Sequence, residues 1–160
     1  MPIKVGDRLP EAKFRVMTAE GPVWKTTDEI FKGKKVALFA VPGAFTNICH
    51  KMHVPSIIAH AEALKAKGVD TVACMAVNDV FVMNAWGKAS NVDGKVLMLA
   101  DGNGEYAKAL GLEMDARGFG MGVRGQRFAI VVDNGVAKQV YVEAPREFKV
   151  SAAEHVLSGL

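Results

Sequence analysis

Cysteine is scarce in this sequence: Cys49 and Cys74 are the only two in 160 residues. That excludes a disulfide scaffold, because a chain of this length can bury enough apolar surface to hold a core without covalent staples. Long hydrophobic runs are missing as well. The most apolar stretches stop at about ten residues, half of what a bilayer-spanning helix needs. Neither sign of charge dominates: 20 Lys and Arg stand against 17 Asp and Glu, a net charge of +3. The charges are scattered, which argues against a nucleic-acid partner, and the short basic cluster Lys32 to Lys35 reads as a solvated end before a strand. With 4 histidines, of which only His60 lies near His50 and His53, no metal centre is expected. No repeat or low-complexity tract is present, and no cofactor motif stands out. The opening MPIKVGDRLP lacks the apolar core of a signal peptide. The expectation is a soluble, cytoplasmic protein with one domain over 1–160 and no membrane partner.

What is there is a regular alternation of elements. Ala12, Phe14 and Val16 alternate with polar neighbours, Ala19 to Pro22 turn, and Val23 and Trp24 open a second strand, so a hairpin is expected over 12–27. Thr27-Asp28-Glu29 reads as the cap of a short helical turn ending at Gly33. Val36 to Val41, Val72 to Val77 and Val96 to Ala100 are near-continuous apolar runs, the pattern of strands covered on both faces. Between them lie two helices. One carries Ile57, Ile58, Ala61 and Leu64 on a face, with Pro55 predicting a kink or a break. The other is capped by Asn78-Asp79 and carries Val82, Ala85, Trp86 and Ala89 at helical spacing. Glu105 to Leu110 is a short helix, and 112–126 a glycine-rich loop. Phe128 to Val132, Asp133-Asn134-Gly135 and Val136 to Val142 make a hairpin. Ser151 to Glu154 reads as a capping box opening a last helix. The order implies an α/β fold: a thioredoxin-like mixed central sheet with helices on both faces and an N-terminal hairpin extension.

The chemistry concentrates in VPGAFTNICH, residues 41–50. A strand ends at Pro42-Gly43, a helix begins with Thr46 or Asn47 as its cap, and Cys49 falls in or near its first turn. Unpaired N–H groups and the helix dipole at such a position favour the thiolate, the reactive form of cysteine. Thr46 can also hydrogen-bond the sulfur or its substrate. Pro42 can wall the thiol from water. His50 and His53 flank the thiol, and His53, four residues on, shares a helix face with Cys49, which keeps open a cysteine hydrolase using Cys49 with His50 or His53. Arg124 and Arg127 in the glycine-rich segment can supply a cation. Cys74, mid-strand, reads as a small core residue or as partner to an oxidised Cys49.

Several stretches resemble one family. Pro42-Gly43-Ala44-Phe45-Thr46-Asn47-Ile48-Cys49 fits the peroxiredoxin signature P-x-x-x-T-x-x-C. His53-Val54-Pro55, the block Val77 to Trp86 (VNDVFVMNAW), Leu99-Ala100-Asp101-Gly102, Ala109-Leu110-Gly111-Leu112 and Gly122 to Phe128 (GVRGQRF) are similar to the peroxiredoxin-5, or type II, subgroup. The matches run from about 36 to 158. The resemblance implies a thiol peroxidase acting on hydrogen peroxide and alkyl hydroperoxides through a cysteine sulfenic acid. It makes Cys49 the peroxidatic cysteine, gives Thr46 and Arg124 the peroxide oxygens, and makes Pro42 the shield. Arg127 and His50 are expected one layer further out, and Cys74 is a possible resolving cysteine. It also implies a homodimer and a thiol reductant: glutathione or glutaredoxin, or thioredoxin through a Cys49–Cys74 disulfide. Asn47 and His50 depart from the usual Pro and small residue at those places. A redox sensor or binding module without turnover is the other reading.

Overall fold

The computed structural model describes residues 2–92 and 94–160. Its centre is three parallel strands, β3 (Lys35–Val41), β4 (Thr71–Ala76) and β5 (Leu97–Ala100). The hairpin β8 (Phe128–Asp133) and β9 (Val136–Val142) adds antiparallel on the β3 side. The N-terminal hairpin, β1 (Lys13–Thr18) and β2 (Gly21–Thr26), adds antiparallel on the β5 side. The order is β2-β1-β5-β4-β3-β8-β9, the expected thioredoxin-like mixed sheet with its extension. Pro22 lies in β2, at the sheet edge, where its missing N–H costs no ladder bond.

Period-two alternation splits the core between the two faces of the sheet. Ala37, Phe39, Cys74 and Val131 face one way, toward α2 (Val54–Ala66), α3 (Val80–Ala89) and α5 (Ala153–Ser158). Val36, Leu38, Met75 and Ile130 face the other, toward α1 (Thr27–Phe31) and α4 (Glu105–Ala109). Each large apolar side chain so buried contributes about 1.5–3 kcal/mol relative to exposure. No described helix is long and apolar enough to cross a membrane.

Four local expectations change. The capping box of α1 is built by Thr26 and Glu29, one residue earlier than read. Helix α3 is capped by Asp79, which accepts from Val82 N–H at 2.9 Å, but it buries Val80, Met83, Trp86 and Gly87; Ala85 and Ala89 are exposed. The apolar content of that helix runs around more than one face, so several registers fit the sequence. The segment 112–126 is not all loop: β6 (Glu113–Asp115) pairs with β7 (Val123–Gly125). The box at Ser151 and Glu154 does not form, and α5 starts without a side-chain cap, because Ser151 is committed elsewhere.

Candidate active site

Strand β3 delivers the chain to Pro42 at the carboxyl end of the sheet, where open α/β folds carry their sites. The turn after it is tightly braced. Phe45 sits in the left-handed region at φ 61°, an uncommon place for a bulky residue. Ala44 N–H donates to Asn78 Oδ1 at 2.8 Å. Thr46, expected as a cap, turns its hydroxyl back to the Gly43 carbonyl at 2.6 Å. Gly43 is required for close approach: a Cβ there would lie 3.1 Å from Thr46 Cγ2 and 3.2 Å from Arg124 Nη1.

Cys49 then opens a π-turn, Cys49–His53, that runs into α2. The N–H of Val54 reaches back to the Cys49 carbonyl. Pro55 accounts for this widening. It has no N–H to give the carbonyl four residues back, and its ring presses on that carbonyl. The interruption expected from Pro55 is thus a π-turn, and it places Cys49 and His53 together inside the protein, 1% and 0% exposed.

Arg127, immediately before β8, is the residue that meets the thiol. Its Nη2 donates to Cys49 Sγ at 2.9 Å, and its Nη1 contacts His53 Nδ1 at 2.8 Å. A guanidinium can only donate, so Nδ1 of His53 accepts and Nε2 carries the proton. That proton goes to the Ser151 carbonyl, 3.0 Å away. Burial, then the Arg127 charge, pull the His53 imidazole down to about 3, so it stays neutral and leaves the arginine's charge uncancelled. Glu143 closes the arrangement. Its Oε2 accepts from Ser151 N–H at 2.8 Å, Ser151 Oγ at 2.6 Å and Lys149 N–H at 2.6 Å. Burial raises the Glu143 carboxyl, but the Ser151 hydroxyl and these N–H groups outweigh it and hold it below its ordinary range.

The two arginines thus stand in the reverse of the expected order. Arg124 spends its guanidinium on backbone carbonyls, Nε on Met121 at 2.8 Å and Nη1 on Val77 at 2.9 Å. Its Nη1 lies against Gly43, 3.2 Å from where a Cβ there would stand, while Arg127 touches the sulfur. Three residues apart in extended chain, the two point to opposite sides. His50 is not at the thiol either. Its Nδ1 accepts from Trp86 Nε1 at 3.0 Å, and its ring packs against Phe45 at 5.6 Å. Pro42 and Arg127 line the same cavity of about 410 Å³, whose other walls include Ile48, Met114 and Phe119.

Cys74 lies opposite Phe39 in the β3–β4 ladder and is fully buried. Burial, then the neighbouring Cys49, push its thiol far above the ordinary range. Both cysteines are free. Among the described residues, no group of three or more His, Cys, Asp or Glu is arranged to hold a metal ion. Glu143 and Ser151 escaped the sequence reading; nothing in their spacing from Cys49 or Arg127 signals a meeting.

The sequence matches a family model described as Redoxin over residues 4–157. It is 45% identical over 160 residues to Peroxiredoxin-2C of Arabidopsis thaliana, covering 99% of each chain. Among solved structures it superposes on reduced Prx3 of Vibrio vulnificus in complex with H2O2 with a TM-score of 0.94, at 53% identity over 98% of each chain. Peroxiredoxin 5 of Alvinella pompejana gives a TM-score of 0.85 at 33% identity, covering 98% of this chain and 97% of that one.

Proposed function

Since this chain belongs to the redoxin family, as a peroxiredoxin with thiol peroxidase activity, we propose that Cys49 reduces hydrogen peroxide and organic hydroperoxides and that an external thiol, glutathione or a glutaredoxin, recycles it. The observation that carries the reading is the 2.9 Å contact between Arg127 Nη2 and Cys49 Sγ inside the protein. The Cys49 thiolate attacks the terminal peroxide oxygen and the O–O bond breaks. The leaving oxygen departs as hydroxide or alkoxide and takes a proton from solvent, leaving Cys49 as sulfenic acid. One external thiol then displaces water to form a mixed disulfide, and a second releases the Cys49 thiol as an external disulfide.

Magnitudes decide where the catalysis lies. Full ionisation of a free thiol of pKa about 8.5 gains roughly 30-fold at pH 7, and falling nucleophilicity takes part of that back. The larger share must come from fixed donors acting on the O–O bond as charge moves to the leaving oxygen. Arg127 is the donor we assign to this, with Thr46 orienting the peroxide and Arg124 lying against the turn that carries Thr46. Pro42 and the apolar walls of the 410 Å³ cavity support acceptance of an organic chain beside the arginine.

The burial of Cys74 supports an external reductant over an internal disulfide. A homodimer and a cytoplasmic setting belong to the same reading. Exposed Phe45 and Phe81 offer apolar surface to a second copy. Peroxide consumption followed with glutathione and glutaredoxin, and separately with thioredoxin, tests the proposal. Rapid turnover with the first pair is expected. Turnover with thioredoxin alone would overturn the reductant assignment, and oxidation of Cys49 without turnover would favour the redox-sensor reading.

A further inference from the structure

The hydrogen bonds behind the thiol form a closed ring. Arg127 Nη1 donates to His53 Nδ1, His53 Nε2 to the Ser151 carbonyl, and the Ser151 N–H and hydroxyl to Glu143 Oε2. The Glu143 N–H then donates to the Arg127 carbonyl at 3.0 Å. Arg127 is therefore held at its backbone by the same residue whose carboxylate, through Ser151 and His53, aims its guanidinium. The Glu143 carboxylate itself bonds neither the sulfur nor the Arg127 guanidinium; its partners are Ser151 and the Lys149 N–H. Among the ring's members Arg127, His53, Glu143 and Ser151 are all buried. Phe148 packs on the His53 ring at 4.8 Å and lies under the Arg127 guanidinium at 6.0 Å, closing the remaining side.

We propose that Glu143 is a positioning residue for the peroxidase step, acting through Ser151 and His53 on Arg127. The physical need is specific. A buried arginine has several donors and many rotamers, and only one aim brings Nη2 onto the sulfur and the peroxide beside it. A carboxylate bonded directly to the guanidinium would also fix it, but would neutralise the charge the reaction uses. Here the fixed negative charge is set two hydrogen-bonded groups away, and a neutral imidazole makes the contact. Misplacing a reacting group by as little as an ångström can cost on the order of 100-fold in rate, so a loosened relay is visible kinetically.

The inference rests on the peroxidase reading, and its test keeps the two apart. The measurement is the single-turnover rate of reduced enzyme with hydrogen peroxide, a substrate too small to depend on the apolar cavity that Glu143 also lines. It is taken at a pH where the rate has levelled off, so that thiol ionisation does not enter. Glu143→Ala should lower that plateau on the order of ten-fold, while Glu143→Gln, which keeps an acceptor, retains most of it. In a His53→Leu background the same Glu143→Ala change should cost nothing further, because the path is already cut. An unchanged plateau in Glu143→Ala, or an equal loss in both backgrounds, overturns the proposal. Should Glu143→Ala fail to fold, Ser151→Ala replaces it: a loss of a few-fold is expected in the wild-type background and none beside His53→Leu, and equal losses overturn it. The peroxidase reading itself falls only if the wild-type enzyme reacts no faster than free cysteine.

Discussion

Cys49 Sγ and Arg127 Nη2 stand 2.9 Å apart although their residues are 78 positions apart in the chain. Both side chains are buried, so the guanidinium is held by hydrogen bonds and by Phe148 instead of by water. A cation so placed supplies the counter-charge of the reacting thiolate and a donor to the oxygen it attacks.

Arg127→Ala should therefore slow the first turnover with hydrogen peroxide on the order of 100-fold, the usual cost of one fixed donor to a developing negative charge. Arg124→Ala should cost less, about ten-fold or below, since it removes a neighbour of Gly43 and leaves the sulfur's donor in place. Stopped-flow measurement on both variants decides the assignment. A larger loss in Arg124→Ala would restore Arg124 as the peroxide-binding arginine.

Cys74→Ala should leave turnover with glutathione and glutaredoxin within about two-fold of wild type, with a stability loss of about 1 kcal/mol for the deleted core sulfur. Steady-state peroxide consumption and urea unfolding measure the two. Abolished turnover in a folded Cys74→Ala protein would mean that the internal disulfide is obligatory.

His53 ties stability to pH. Its folded value, near 3, lies below the unfolded value of about 6.5. Between those values the unfolded chain binds the extra proton, so stability falls as pH falls from 6.5 toward 3, by up to about 1.4 kcal/mol per pH unit. From pH 7 to 5 the wild type should lose about 2 kcal/mol more than His53→Gln, which has no ring to protonate. Urea titrations of both proteins at the two pH values check this, and parallel losses would show that His53 is not the group responsible.

His50→Ser removes the acceptor of the buried Trp86 Nε1. It should cost about 1–2 kcal/mol of stability, the penalty of an unsatisfied buried donor, with little change in the rate of peroxide reduction. A rate loss larger than the stability loss would place His50 in the chemistry after all.

Much of this arrangement is legible from sequence, for identifiable reasons. Val36 to Val41 and Val72 to Val77 are apolar on both faces, which only a covered parallel strand requires, and both occur within a residue of the expected bounds. Pro42, Thr46 and Cys49 share one short stretch, so local rules suffice to bring them together. Arg124 and Arg127 defeat such rules: both lie in the same segment, and only the register of β6 with β7 decides which side each faces. Ser151 defeats them differently. A serine three residues before a glutamate satisfies the pattern of a helix cap, yet its N–H and hydroxyl go to Glu143, eight residues upstream in the chain. A carboxylate brought by the β8–β9 hairpin outcompetes the local partner.

The carbonyl of Ser151 reaches His53 across 98 positions of sequence. Cys49 is made early, but the arrangement that aims Arg127 at it waits for the segment just before α5. During synthesis, an emerging chain thus carries an unaimed thiol until Ser151 has followed it out. A product truncated ahead of Ser151 would display the full peroxidase signature and the sulfur, yet be a poor catalyst. The reactive centre is therefore non-local: one segment supplies its thiol, and another, 98 positions beyond His53, sets its aim.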